Sequence, residues 1–163
     1  MMAKYDPKMV GWMEKELVEI GVKALKTESD VETFMNQSGT SMVLINSVCG
    51  CAAGGARPGV GMALQNKVIP DNIATVFAGV DKDATAKARS FFDDIPPSSP
   101  SVALLKDGQV VHFIARHEIE GFDYEQIAAK LTPAFDAHCG SEGPSVSEEK
   151  LKDAFSSDER NGR

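Results

Sequence analysis

Basic charge, cysteine and long apolar runs are all scarce in this chain of 163 residues, and each scarcity removes a class of function. Lysine and arginine number 17 against 24 aspartates and glutamates, giving a formal charge of −7 and a pI of about 4.9. Affinity for a phosphate backbone rests on neutralising it with cations, so a nucleic-acid partner is excluded on bulk charge. No apolar run is long enough to cross a bilayer. The opening residues lead into Glu14, Lys15, Glu16 and Glu19, which cannot form the apolar centre of a signal peptide. A soluble, cytoplasmic protein with no membrane partner is expected. Three cysteines, an odd number without an export signal, argue against a disulfide framework and leave reactive or metal-binding thiols. Gly54, Gly55, Gly59 and Gly61 are not followed by the Lys-Ser/Thr of a phosphate loop, so close helix packing explains them better. There are no internal repeats, and the length suits one domain.

What the chain does hold is Cys49-Gly50-Cys51, delivered by the apolar run Met42-Val43-Leu44-Ile45 and followed by small residues able to start a helix. A strand at residues 41–46, apolar without alternation, is buried on both faces. A helix N-terminus presents unpaired N–H groups and partial positive charge, which stabilise a thiolate and lower its pKa. Upstream, Asp6-Pro7 caps a helix carrying Met9, Val10, Met13, Leu17 and Ile20 and ended by Gly21. Residues 22–25 suit only an edge strand. Thr27 with Asp30 starts a second helix whose apolar face is Val31, Phe34 and Met35.

After the cysteines, residues 52–65 read as a helix of poor propensity, kinked by glycines and Pro58. A second buried strand lies within 71–80, a helix at 84–92, and Pro96-Pro97-Ser98-Ser99-Pro100 breaks the chain. Residues 101–105 and 110–115 flank Asp107-Gly108, a strong hairpin signal. A last helix spans 123–135, with Tyr124, Ile127, Leu131 and Phe135 as its buried stripe. Beyond Cys139 the composition turns to Gly, Ser, Pro and charge. Too few apolar residues remain there for a core, so residues 140–163 read as a polar tail, mobile or a short helix. Buried strands separated by helices, then an antiparallel pair and a closing helix, give an α/β fold: a mixed sheet with helices on both faces.

Cys49-Gly50-Cys51-Ala52-Ala53-Gly54, then Ala56-Arg57-Pro58, Arg116-His117-Glu118-Ile119-Glu120-Gly121 and Cys139 resemble the bacilliredoxin family of thioredoxin-like proteins. The resemblance covers residues 5–139 and implies a thioredoxin-like domain over 1–139. It implies a thiol–disulfide oxidoreductase, with Cys49 as nucleophile and Cys51 as resolving thiol. No bound cofactor is expected. Bacillithiol or another low-molecular-weight thiol is the implied co-substrate, and S-thiolated or disulfide-containing proteins are the implied partners. It also implies that Ser99-Pro100, ahead of the hairpin, is a cis bond lying against the cysteines, with exposed backbone at Ser99 able to pair with a substrate strand. Thioredoxin keeps a buried Asp in the strand before its cysteines, whereas this strand is wholly apolar, so no internal carboxylate is expected beneath the site. Its cysteines are separated by two residues; the single Gly50 here makes a tighter disulfide, of the labile, oxidising kind.

Other readings stay open at this level. Disulfide isomerase or reductase activity would use the same cysteines. A zinc-binding or interaction module would take Cys49, Cys51, Cys139 and one of His112, His117 or His138, although one residue between ligands is tighter than the usual two to four; no metal is assigned. Arg57 either helps an anionic thiol dock and favours thiolate or is an ordinary solvated helix charge, the latter being the default for arginine. Cys139 is a third redox thiol, a resolving or intermolecular partner, or an inert residue ending its helix.

Overall fold

The computed structural model describes residues 3–155. Asp6 accepts a hydrogen bond from the Lys8 N–H and starts α1 (Pro7–Val10), and Trp12–Val18 forms α2. The single helix expected here is broken at Gly11, the residue of lowest helix propensity in the stretch apart from the N-terminal proline. Gly21, at φ +91°, turns the chain into β1 (Lys23–Ala24). Thr27 and Asp30 form the predicted reciprocal cap on α3 (Glu28–Met35). Then come β2 (Thr40–Asn46), a π-helical turn over Ala52–Ala56 and α4 (Arg57–Ala63). They are followed by β3 (Val68–Ile69), β4 (Asn72–Phe77), α5 (Lys82–Arg89), β5 (Ser101–Lys106) and β6 (Gln109–Ile114). The chain closes with α6 (Tyr124–His138), β7 (Ser141–Glu142) and α7 (Glu148–Ala154).

The main sheet has the order β1-β4-β2-β5-β6. β2 lies at its centre, parallel to β4 and antiparallel to β5. Its unbroken apolar run is explained by alternation between two cores. Met42 and Leu44 face Leu17, Val60 and Leu131, whereas Val43 and Ile45 face Val31, Phe34 and Ala88. α2, α4 and α6 therefore cover one face and α3 and α5 the other, which is the expected α/β, thioredoxin-like arrangement. Each such side chain contributes roughly 1.5–3 kcal/mol by leaving water. The hairpin turns at Asp107 (φ +48°) and Gly108 (φ +84°), the two left-handed residues its two-residue loop requires.

Gly55 and Gly59 let α6 approach closely: a β-carbon on Gly59 would lie 2.8 Å from Ile127 Cγ2, and one on Gly55 2.9 Å from Ile127 Cδ1. Tyr124, placed by periodicity on the buried stripe of α6, is instead 43% exposed, while Ile127, Leu131 and Phe135 are buried. After Cys139 the structure has the short helix, one of the two sequence readings, but the segment is docked rather than a free polar tail. β7 pairs with β3, Val146 and Ala154 are buried, and a β-carbon on Gly61 would lie 2.8 Å from Leu151 Cδ2. Few apolar residues suffice there because they dock on a core built by the rest of the chain. Residues 156–163, the remainder of the expected tail, lie outside the described residues.

Ala154→Asp puts a carboxylate in this fully buried position and is expected to cost about 2–3 kcal/mol. Urea unfolding measures it, and an unchanged midpoint would show that α7 does not stay docked in solution.

Candidate active site

The cysteines stand just beyond the C-terminal end of β2. Ser47, the first residue past the strand, is still buried, Val48 and Cys49 are half-buried, and Gly50 is exposed. Cys49 and Cys51 are joined as a disulfide with their Cα atoms 5.4 Å apart. The Cys49 carbonyl accepts the Ala52 and Ala53 N–H groups at 3.0 and 3.2 Å, so the cysteine sits at the head of the helix as predicted. The expected kink downstream is a π-helical turn, in which the Arg57 N–H reaches back to the Ala52 carbonyl.

The Ser99–Pro100 bond is cis. Because Ile45 pairs with Ser101, Pro100 lies level with Asn46 on the neighbouring strand, close below the cysteine loop. Ser99 and Cys49 both line an open cavity of about 520 Å³. The Ser99 carbonyl, expected to be free backbone, accepts a hydrogen bond from Arg116 Nη1 at 3.2 Å, and Ser98 Oγ accepts the Arg116 backbone N–H. Arg116 also pairs with Glu120 at 2.9 Å. Part of the Arg116–Gly121 motif is thus a brace for the cis-proline loop, while His117 is simply exposed. Gly143–Pro144 is a second cis bond, for which the sequence offered no cue.

Arg57 is neither a solvated charge nor a docking group, because its side chain is 0% exposed. Its Nε donates to Glu16 Oε1 at 2.5 Å, and its Nη1 donates to Asn46 Oδ1 at 3.0 Å and to the Ser47 carbonyl at 2.8 Å. The guanidinium lies 5.8 Å from the centre of the Trp12 ring. The network continues upward: Asn46 Oδ1 accepts the Ser47 N–H, and Ser47 Oγ accepts the Cys49 N–H at 3.2 Å. The expectation of no buried acid beneath the site is therefore corrected. Glu16, 1% exposed, supplies one from α2 rather than from the strand. Two signals marked the pair: Glu16 lies in register with Met13, Leu17 and Ile20, and Arg57 is the only charge between Cys51 and Lys67.

Cys139 is remote from this chemistry. It neighbours Thr40, Asp71 and Asp136, at the opposite end of β2, and burial pushes its thiol pKa up. Thr40 and Asn46 are the two ends of this seven-residue strand, about 20 Å apart. The donor set of the zinc alternative is therefore not assembled. Among the described residues, no group of three or more His, Cys, Asp or Glu is placed to hold a metal ion. His112 is committed elsewhere, with Nε2 3.0 Å from the Lys130 carbonyl.

The arrangement is a disulfide at a helix head, half-exposed beside a cavity and backed by a cis-proline and a buried ion pair, which suits sulfur exchange with an incoming thiol. The sequence profile of the family described as "Disulphide isomerase" matches residues 5–139. The chain is 55% identical over 138 residues to a bacilliredoxin of Bacillus cereus, covering 83% of this chain and 96% of that protein. It is 50% identical over 132 residues to a bacilliredoxin of Cytophaga hutchinsonii, covering 81% and 98%. In fold it is similar to a mutant thioredoxin from Halobacterium salinarum, with a TM-score of 0.51 at 12% identity over 77% of this chain and 96% of that one.

Two outcomes test the electrostatics. Glu16→Gln leaves the Arg57 guanidinium buried without its counter-charge and is expected to cost about 3–5 kcal/mol in urea unfolding; a loss under about 1 kcal/mol, the range of an exposed pair, would show the pair to be solvated. In the reduced protein, the raised pKa keeps Cys139 as thiol at neutral pH. Peptide-mapped iodoacetamide labelling should modify it more slowly than an unfolded-peptide cysteine, with the gap closing only above the ordinary thiol pKa.

Proposed function

The chain belongs to the family described as disulphide isomerase, whose relatives include the bacilliredoxins, and on that premise we propose that it removes bacillithiol from protein mixed disulfides at Cys49. It is a thiol–disulfide oxidoreductase of thioredoxin fold. The observation that carries the proposal is the half-exposed Cys49–Cys51 pair at the head of a helix, opening on a cavity.

In the reduced protein the Cys49 thiolate, favoured by the helix terminus, attacks the bacillithiol sulfur of the mixed disulfide. The Cys49–bacillithiol bond forms, the bond to the substrate protein breaks, and the substrate cysteine leaves as thiolate and takes a proton from water. Cys51 thiolate then attacks Cys49 Sγ and expels bacillithiol as thiolate, leaving the Cys49–Cys51 disulfide seen here. Two small thiols return the two electrons, opening that disulfide and leaving as their own symmetric disulfide. Gly50, with no side chain, keeps the approach to both sulfurs open, and Ser99, before the cis-proline Pro100, lines the cavity beside it. The cytoplasm, where a reducing thiol pool exists, is the compartment this cycle requires.

The family's description favours a second reading, isomerisation of misplaced protein disulfides by the same Cys49 thiolate without net electron transfer. Recovery of a scrambled protein substrate without any small thiol separates the two.

Incubating the reduced protein with a bacillithiolated protein should strip the substrate, with the mass of one bacillithiol passing through Cys49 and ending as free bacillithiol beside the Cys49–Cys51 disulfide. Cys49→Ser should reduce the rate to that of uncatalysed exchange, and Cys51→Ser should accumulate the Cys49 mixed disulfide until thiol is added. No mass transfer by folded protein would overturn the proposal, and equal small losses in the two variants would overturn the roles.

A further inference from the structure

The cavity beside Cys49 has cations on several sides and, among the described residues, no aspartate or glutamate in its lining, although the whole chain carries −7. We infer that this cavity docks the anionic part of the small thiol exchanged at Cys49, so that carboxylate-bearing thiols are selected over neutral or cationic ones. The inference rests on the reading of Cys49 as the exchanging sulfur.

The charges come from four separate segments. Lys4 precedes α1, Lys82 opens α5, Arg89 closes it, and Arg116 follows β6. Arg116 is partly neutralised by Glu120, whereas no carboxylate among the described residues pairs with Lys4, Lys82 or Arg89. Arg89 is only partly engaged. Its Nη2 donates to the Ser98 carbonyl at 3.2 Å, but its Nε is buried without a hydrogen-bond partner among the described residues. Burial lowers its pKa, so an anion in the cavity would offset the cost of its charge. The volume, about 520 Å³, is within the range of small-molecule sites. Arg57, the sequence-level candidate for this task, is sealed in the core, so recognition falls to residues far from the cysteines in sequence.

The test uses the full chain carrying Cys51→Ser, reduced, with the symmetric disulfides of mercaptosuccinate, 2-mercaptoethanol and cysteamine. In each reaction the Cys49 thiolate gains one small thiol and releases the other as thiolate, read by mass mapping at Cys49. Rates are divided by those of a free small thiolate with the same disulfide, which removes differences in leaving group. At low salt the mercaptosuccinate probe should be favoured over the neutral one about tenfold or more, and cysteamine disfavoured. Adding Lys82→Glu should bring that ratio to about one or below, while Lys152→Glu, on α7, should leave it unchanged. A ratio of one in the unaltered cavity, or equal effects of the two substitutions, would overturn the inference. The probes contain no bacillithiol. A charge preference without transfer from bacillithiolated proteins overturns only the co-substrate, and transfer without a charge preference overturns only the docking site.

Discussion

The Arg57 guanidinium, shut away from water, is the point at which α2, α4 and the end of β2 are tied together. Taking an ion pair out of water costs several kcal/mol per ion, so such a pair adds little net stability over an apolar filling of the same volume. Its effect is on position. A guanidinium held by one carboxylate, one amide and one carbonyl has few orientations left, and each partner is fixed relative to the others. Asn46 and Ser47, held this way, pass the constraint to the Cys49 backbone through the Ser47 hydroxyl. The sulfurs are thus presented by a loop that is braced from below by charge and from the side by the Arg116 contact to Ser99.

Local chemistry was legible in the sequence wherever a few adjacent residues decide the outcome. The Thr27–Asp30 cap, the Asp107-Gly108 turn and the buried run of β2 are all of this kind. The cysteines at a helix head were legible in the apolar run before them and the small residues after them, and cis Ser99–Pro100 through the family resemblance. What stayed hidden depends on contacts between distant segments. Arg57 and Glu16 lie 41 positions apart, and each alone resembles a surface charge. Tyr124 fits the apolar period of α6 but stands at an open cleft between α4 and α7, lined by Met62 and Leu151, which leaves it 43% exposed. The segment after Cys139 looks too polar to fold because its apolar residues are few, yet each finds a place on a core that already exists.

Charge is segregated by depth. The surface is acidic in sum, one compensated cation is buried beneath the cysteines, and further cations surround the opening above them. The buried arginine is neutralised by Glu16 and exerts little field outside, so the potential felt by an approaching molecule is set by the cavity wall. The sheet separates two thiol environments as well. At one end Cys49 and Cys51 meet solvent, and at the other Cys139 sits among carboxylates in a setting that keeps it protonated.

The π-helical turn at Ala52–Ala56 acts as a phase shifter. One extra residue in a helical rod rotates everything beyond it by about 100° relative to everything before it. The rod therefore obeys two directions at once: its head faces outward with the cysteines, and its body faces inward with Arg57 and the glycines that receive α6. A uniform α-helix through the same fourteen or so positions would have had to give up one of those alignments. The irregularity lets a reactive tip and a rigid root share a single short element.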